Sequence, residues 1–204
     1  MRDKKYIIFS VIILFSLLIL SWDNIRSLFT PQLKQGEELV LTKGGYIGGI
    51  DIATGFYDVE ALDSDVEFNL SDMNKGEQLL GIPITKNLQC GVGGKGKVKL
   101  TKAKFEKLSL IDNQYQIIHS GDYKVNKCIE PGKYQLSINS DSKEKLKNCM
   151  VEILSGKKLK STVQYLFNDN QSYKIELKQG QLLQVNKGVT EEFDKCDIIL
   201  KKLE

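Results

Sequence analysis

The chain has 204 residues, 41% of them hydrophobic and 27% charged, with a formal net charge of +3, a balance typical of one or two folded domains. Setting aside Arg2, Asp3, Lys4 and Lys5 leaves the remainder close to neutral, which excludes a nucleic-acid binder driven by charge. Three prolines and ordinary complexity exclude a collagenous or disordered body.

In chain order, the basic residues 1–5 precede Tyr6 to Trp22, a run without charge that only Ser10, Ser16 and Ser21 interrupt. As a helix it rises about 25 Å, and Ile25 extends its reach toward the thickness of a bilayer core. Residues 6–25 are therefore predicted to be a transmembrane anchor, with 1–5 as a cytoplasmic tail too short for a signalling domain, because basic flanks stay inside. The body is expected outside the cell membrane, held to the lipid bilayer by this single-pass helix. The alternative is a cleaved signal peptide. Leu20-Ser21-Trp22-Asp23-Asn24 offers it no small-x-small site, and no lipidatable cysteine is nearby. A buried core helix fits less well, because the segment has no amphipathic stripe. Residues 26–36, which mix charges with Phe29, Pro31 and Gly36, read as a stalk.

The exterior repeats itself. Residues 44–57 lie over 121–134 without a gap, matching Gly44 with Gly121, Tyr46 with Tyr123, Ile52 with Ile129, Gly55 with Gly132 and Tyr57 with Tyr134. The same offset of 77 places Val98-Lys99-Leu100 over Ile175-Glu176-Leu177 and Phe105 to Leu108 over Leu182 to Val185. Two modules follow, residues 37–113 and 114–204. Tyr57, Val59 and Ala61 alternate with Asp58 and Glu60, and Tyr134, Leu136 and Ile138 alternate in the same way, which is the period of a half-buried strand. The expected fold is all-β: two tandem antiparallel β-sandwich-like modules behind the helix. Gly55 after Thr54, and Gly132 after Pro131, are expected to form a repeated structural turn needing positive φ.

The Gly-Tyr, Asp-Ile, Gly-x-Tyr block resembles the short β-rich repeat modules of uncharacterised Gram-positive surface proteins and lipoproteins, whose pattern is approximately Tyr-x-Val-Gly-Lys-Asp-Ile-Pro-Ala-Gly-x-Tyr followed by Leu-Lys-x-Gly-x-x-Leu. Tyr46, Gly48 or Gly49, Asp51, Ile52, Gly55 and Tyr57 match the first part, and Leu177, Lys178, Gly180 and Leu183 the second. Thr54, Cys128 in place of the Asp, and Ala103 in place of Gly180's counterpart depart from it. The resemblance implies a surface location and no established catalytic role.

Candidate chemistry is sparse. Gly91 to Lys97 has the spacing of a phosphate-binding loop, but Val98 stands where a hydroxyl would hold Mg²⁺ and a strand-like segment follows, so no nucleotide is expected and Gly91 to Gly96 reads as a flexible hairpin or inter-strand loop. Cys90, Cys128, Cys149 and Cys196 contain no Cys-x-x-Cys pair, so neither metal nor another cofactor is expected. Cys149 shares strand phase with Val151 and Ile153, and Cys196 with Ile198 and Leu200; the preferred disulfide joins Cys149 to Cys196, the alternative being buried thiols. His119, the sole histidine, could form a dyad with Cys128, oriented by Asp122. The blander reading is a strand-end histidine. Asp51, Asp58, Asp63, Asp65 and Asp72 could supply paired carboxylates, yet modules of this size offer little cleft. Asp63-Ser64-Asp65 lacks a full calcium-ligand series and reads as a turn. Tyr46, Tyr57, Tyr123 and Tyr134 are either a sugar-stacking platform or, for Tyr57 and Tyr134, core. The resulting expectation is a non-catalytic binding or structural module at the cell surface, with a cell-wall polymer or envelope protein as its partner and no nucleic acid. The alternative is a tethered hydrolase or thiol enzyme using Cys128 and His119.

Overall fold

The computed structural model describes residues 37–140, 149–156, 160–167, 171–187 and 196–203, with Ser16 and Leu33. Apart from Ser16 and Leu33, the expected anchor and stalk lie outside these residues. Among the described residues no helix is long and apolar enough to cross a membrane.

The described chain is all-β, in several sheets. Its first half carries β1 (Glu38–Leu41), β2 (Gly44–Ile47), β3 (Gly55–Ala61), β4 (Val66–Phe68), β5 (Ser71–Met73), β6 (Gln78–Ile84), β7 (Gln89–Gly94) and β8 (Val98–Lys102). The second carries β9 (Gln114–Ile117), β10 (Ser120–Lys124), β11 (Gly132–Ser140), β12 (Met150–Ser155), β13 (Lys160–Leu166), β14 (Tyr173–Leu177), β15 (Leu182–Asn186) and β16 (Cys196–Lys202). In the first half β1-β8-β3-β6 are neighbours in one sheet and β2-β7-β4-β5 in another; in the second the orders are β9-β16-β11-β14 and β10-β15-β12-β13. Adding eight to each strand number converts one set into the other. Eight antiparallel strands in this order make the double Greek key of a jelly roll.

Strand alternation fills each core. Tyr57, Val59, Ala61, Val66, Phe68, Val98 and Leu100 are buried in the first half, and Tyr134, Leu136, Val151, Ile153, Ile198 and Leu200 in the second. Four tyrosines lock the strand starts through the same bond: the hydroxyls of Tyr46, Tyr57, Tyr123 and Tyr134 donate to the carbonyls of Thr42, Ala53, His119 and Glu130, four residues back, at 2.8, 2.7, 2.7 and 2.6 Å. This is the device called a tyrosine corner in other sandwiches. With Tyr57, Tyr123 and Tyr134 buried, these rings belong to the packing and offer no platform for a sugar.

The halves are fused. β6 pairs with β10 in parallel, Leu79 opposite Ser120 and Leu80 opposite Gly121, so two four-stranded sheets become one of eight strands. Leu79 packs on the first core and Leu80 on the second, so the cores lie on opposite faces of that long sheet. The connecting segment is tied to both halves. Ala103 N donates to Phe56 O at 2.9 Å, Lys104 N to Asp58 Oδ2 at 3.3 Å and Leu108 N to Cys128 O at 2.9 Å. The Lys124 ammonium sits 3.9 Å from the Phe56 ring centroid and 4.0 Å from that of Phe105, a cation–π contact.

Three expectations are corrected. The offset of 77 holds over β2 and β3 but neither at β1, which precedes its counterpart β9 by 76, nor downstream: Ile175 to Leu177 lie in β14, the counterpart of β6, whereas the counterpart of β8 is β16. Gly91 to Gly94 belong to β7, not to a flexible loop. Gly94 has φ +71°, and a Cβ there would overlap the Asp65 carbonyl. The repeated turn that needs positive φ is at Gly49 and Asn126, φ 81° and 76°, whose amides donate to Ile52 O and Ile129 O at 2.7 Å; Asn is among the few side chains at ease there. Gly55 is not among the positive-φ glycines and Gly132, at 159°, borders on extended backbone. At either, a Cβ would make only ordinary contact, 3.5 Å, with the tyrosine ring two residues on.

Candidate functional site

Because the cores occupy opposite faces of the long sheet, the small sheet of the first half stops at β5 while the long sheet runs on beneath it. The step between them is a cleft of about 1340 Å³. Its wall is Ser71, Asp72 and Met73 of β5 with the following residues 74–77, and its floor is Ser120, Gly121 and Asp122 of β10 beside Gln184 and Val185 of β15. His119 and Lys187 also line it. The expectation that these modules offer little cleft is thereby corrected: a cleft is present, lined by residues of both halves.

The floor depends on a close approach of two backbones. A Cβ on Gly121, whose φ is +141°, would overlap the Leu80 carbonyl, and one on Gly81 would overlap that of Asp122. Gly81 N also donates to Asp58 Oδ1 at 2.8 Å. Next to Gly121, Asp122 is 1% exposed. Its Oδ1 accepts from Gln184 Nε2 at 2.8 Å, and among the described residues Oδ2 has no partner. Burial, with the charge of Glu152 adding to it and the Gln184 bond opposing it, pushes the Asp122 carboxyl up to about 6. Lys187 is also buried; its Nζ donates to Ile118 O at 2.6 Å and its amide to Ser120 Oγ at 3.2 Å. Burial first, then the Lys187 charge, pushes the His119 imidazole below its ordinary range.

The residues proposed for thiol chemistry are placed apart in role. Cys128 is 3% exposed in the second core, does not line the cleft, and has its thiol pushed up by burial. It occupies the position of Asp51, whose Oδ2 accepts from Ile47 N at 2.9 Å. The equivalent backbone bond, from Lys124, is kept at Cys128, so a thiol replaces a carboxylate as the fastener of the turn. His119 lends its carbonyl to Tyr123. Asp122, considered in sequence as an orienter of that imidazole, bonds Gln184 through Oδ1. Cys149 is buried in the second core and Cys90 in the first; the Cys196 side chain, and with it the proposed bridge, lies outside the described residues. Asp63 Oδ2 accepts from Lys97 N at 3.1 Å, as a turn residue does, and among the described residues no group of three or more His, Cys, Asp or Glu side chains could hold a metal ion.

Sequence reasoning undervalued Asp122. The offset of 77 lays it over Gly45 and next to the inward-facing Tyr123, which predicts an outward residue. What buries it is the long-range pairing of β10, invisible in local pattern. No family model matches the chain, and no curated protein matches it.

Proposed function

We propose that this is a non-catalytic binding protein, anchored by the helix expected at residues 6–25 and displayed outside the cell membrane, that holds a partner of the envelope in the cleft between its halves. The observation that carries the reading is the cleft itself: two jelly rolls locked at β6 and β10 border an open cleft of about 1340 Å³ lined by residues of both. A fixed concave surface between two modules is where ligands are usually held. The burial and raised pKa of Cys128 favour this over a thiol enzyme, because nucleophilic cysteines are exposed and low in pKa. A near-neutral exterior also favours shape and local contacts over bulk attraction to anionic wall polymer.

Full-length chain in detergent micelles should retain a component of purified envelope, and Asp72→Arg, a long opposite charge on the cleft wall, should release it. Equal retention by the variant would place binding elsewhere. Protease shaving of intact cells should degrade the body and spare the anchor; a protected body would refute the proposed orientation.

A further inference from the structure

The cleft carries more carboxylates than ammonium groups: Asp65, Glu67, Asp72 and Glu77 from the first half and Asp122 from the second, against Lys75 and Lys187. Acidic surfaces are common and well solvated, so this alone says little. Asp122 is different in kind. Its neighbour Tyr123 turns into the second core, so the alternation of β10 sends Asp122 to the other face of the long sheet, the cleft side. There it is 1% exposed, and among the described residues Oδ2 has no donor. A buried acceptor left without a donor costs stability, and such a cost persists where the group has a use. A separate feature points to the form of the ligand. Among the described residues β5 ends its sheet, and all three of its own residues line the cleft, so a backbone edge that no described strand extends borders the same space as the recessed carboxylate.

Resting on the binding reading above, we propose that the cleft receives an extended, lysine-bearing segment of an envelope protein, its main chain continuing the sheet at β5 and its ammonium donating to Asp122 Oδ2. Strand addition takes affinity from main-chain bonds and specificity from alternate side chains. The compact ammonium on its long stem suits a recessed oxygen better than the broad guanidinium fork. An L-polypeptide is favoured over a wall polymer because β5 offers a ladder only to a regular extended main chain.

The probe is a synthetic peptide alternating Thr and Lys, with its Thr-Glu counterpart, titrated into isotope-labelled full-length chain in micelles. The Lys peptide should bind saturably at about 0.15 M salt, where exposed charge is largely screened, and shift amides in 71–78, 120–122 and 184–187. Asp122→Asn, which keeps an oxygen for Gln184, should weaken it about tenfold or more. Glu106→Gln, on an exposed acid of the connecting segment, should change it less than about twofold. Binding of the Glu peptide as tight as that of the Lys peptide, or indifference to Asp122→Asn, overturns the inference. So do cleft amides that respond to purified wall sacculi but not to the Lys peptide, although that result leaves the binding reading intact. If the envelope component is retained by wild type and Asp72→Arg alike, the binding reading fails whatever the peptide does.

Discussion

β2 and β10 hold the same place in the two jelly rolls and carry the same Gly-x-Tyr, yet they live in opposite surroundings. β2 ends its sheet: Gly44 and Gly45 are exposed, a Cβ on Gly44 would first meet the Tyr46 ring at an ordinary 3.7 Å, and one on Gly45 would meet nothing within 4 Å. β10 pairs on its outer side with β6, so Gly121 is pressed against the Leu80 backbone and the residue over Gly45 is the buried Asp122. A position that is free in one copy is thus committed in the other to joining the halves and flooring the cleft. The tyrosine bond, by contrast, is common to both strands because it serves the fold, not the junction.

Gly121→Val against Gly44→Val should break the comparison most sharply. A branched side chain at Gly121 meets backbone at positive φ and should cost about 3 kcal/mol or more. At Gly44 it should cost under about 1 kcal/mol. Thermal melts of both would measure it, and similar losses would mean that β6 and β10 are not paired.

The second contrast is Asp122→Asn against Gly45→Asn. Asp122 titrates near 6 in the folded chain, above the ordinary carboxylate value, so the folded state binds this proton more tightly than the unfolded state does. Its contribution to stability is therefore fully present below about pH 4 and is lost as pH rises through about 6. Asp122→Asn should accordingly stabilise by roughly 2 kcal/mol near neutral pH and by little near pH 4, while Gly45→Asn shows no such pH dependence. A melt series across this range that left the Asp122→Asn difference flat would remove the charge from the cleft floor.

Smaller effects follow from the tyrosines. Tyr134→Phe, at a fully buried ring, should cost about 1–2 kcal/mol, and Tyr46→Phe, at the open edge, about 0.5 kcal/mol. Denaturant midpoints would rank them, and the reverse order would show the two corners to be unlike. Smallest of all, an electrophilic thiol probe should leave native Cys128 unlabelled until the chain unfolds. Labelling in the native state that disappears in His119→Ala would revive the thiol enzyme.

The alternation of Tyr57, Val59 and Ala61, and of Tyr134, Leu136 and Ile138, was legible because each strand presents one face to a core. The repeat over 44–57 and 121–134 was legible because no insertion interrupts it. Downstream it was not, because longer connections in the second half shift every later strand, and an apolar-x-apolar strand such as Ile175 to Leu177 resembles β8 as closely as it resembles β6. In sequence the shared Gly55 and Gly132 mark the positive-φ turn, whereas the backbone demands it where the pair is Gly49 and Asn126; two residue types meeting one demand leave no identity to notice. The cleft depends on β6 meeting β10, a contact between elements that no local pattern encodes.

The most direct test is an amide-resolved titration of the full-length chain with the purified envelope component it retains. Binding between the halves predicts shifts gathered at Ser71 to Gln78, Ser120 to Asp122 and Gln184 to Lys187, with β2 unmoved. Shifts confined to β2, or to strands of one half away from the cleft, would contradict it.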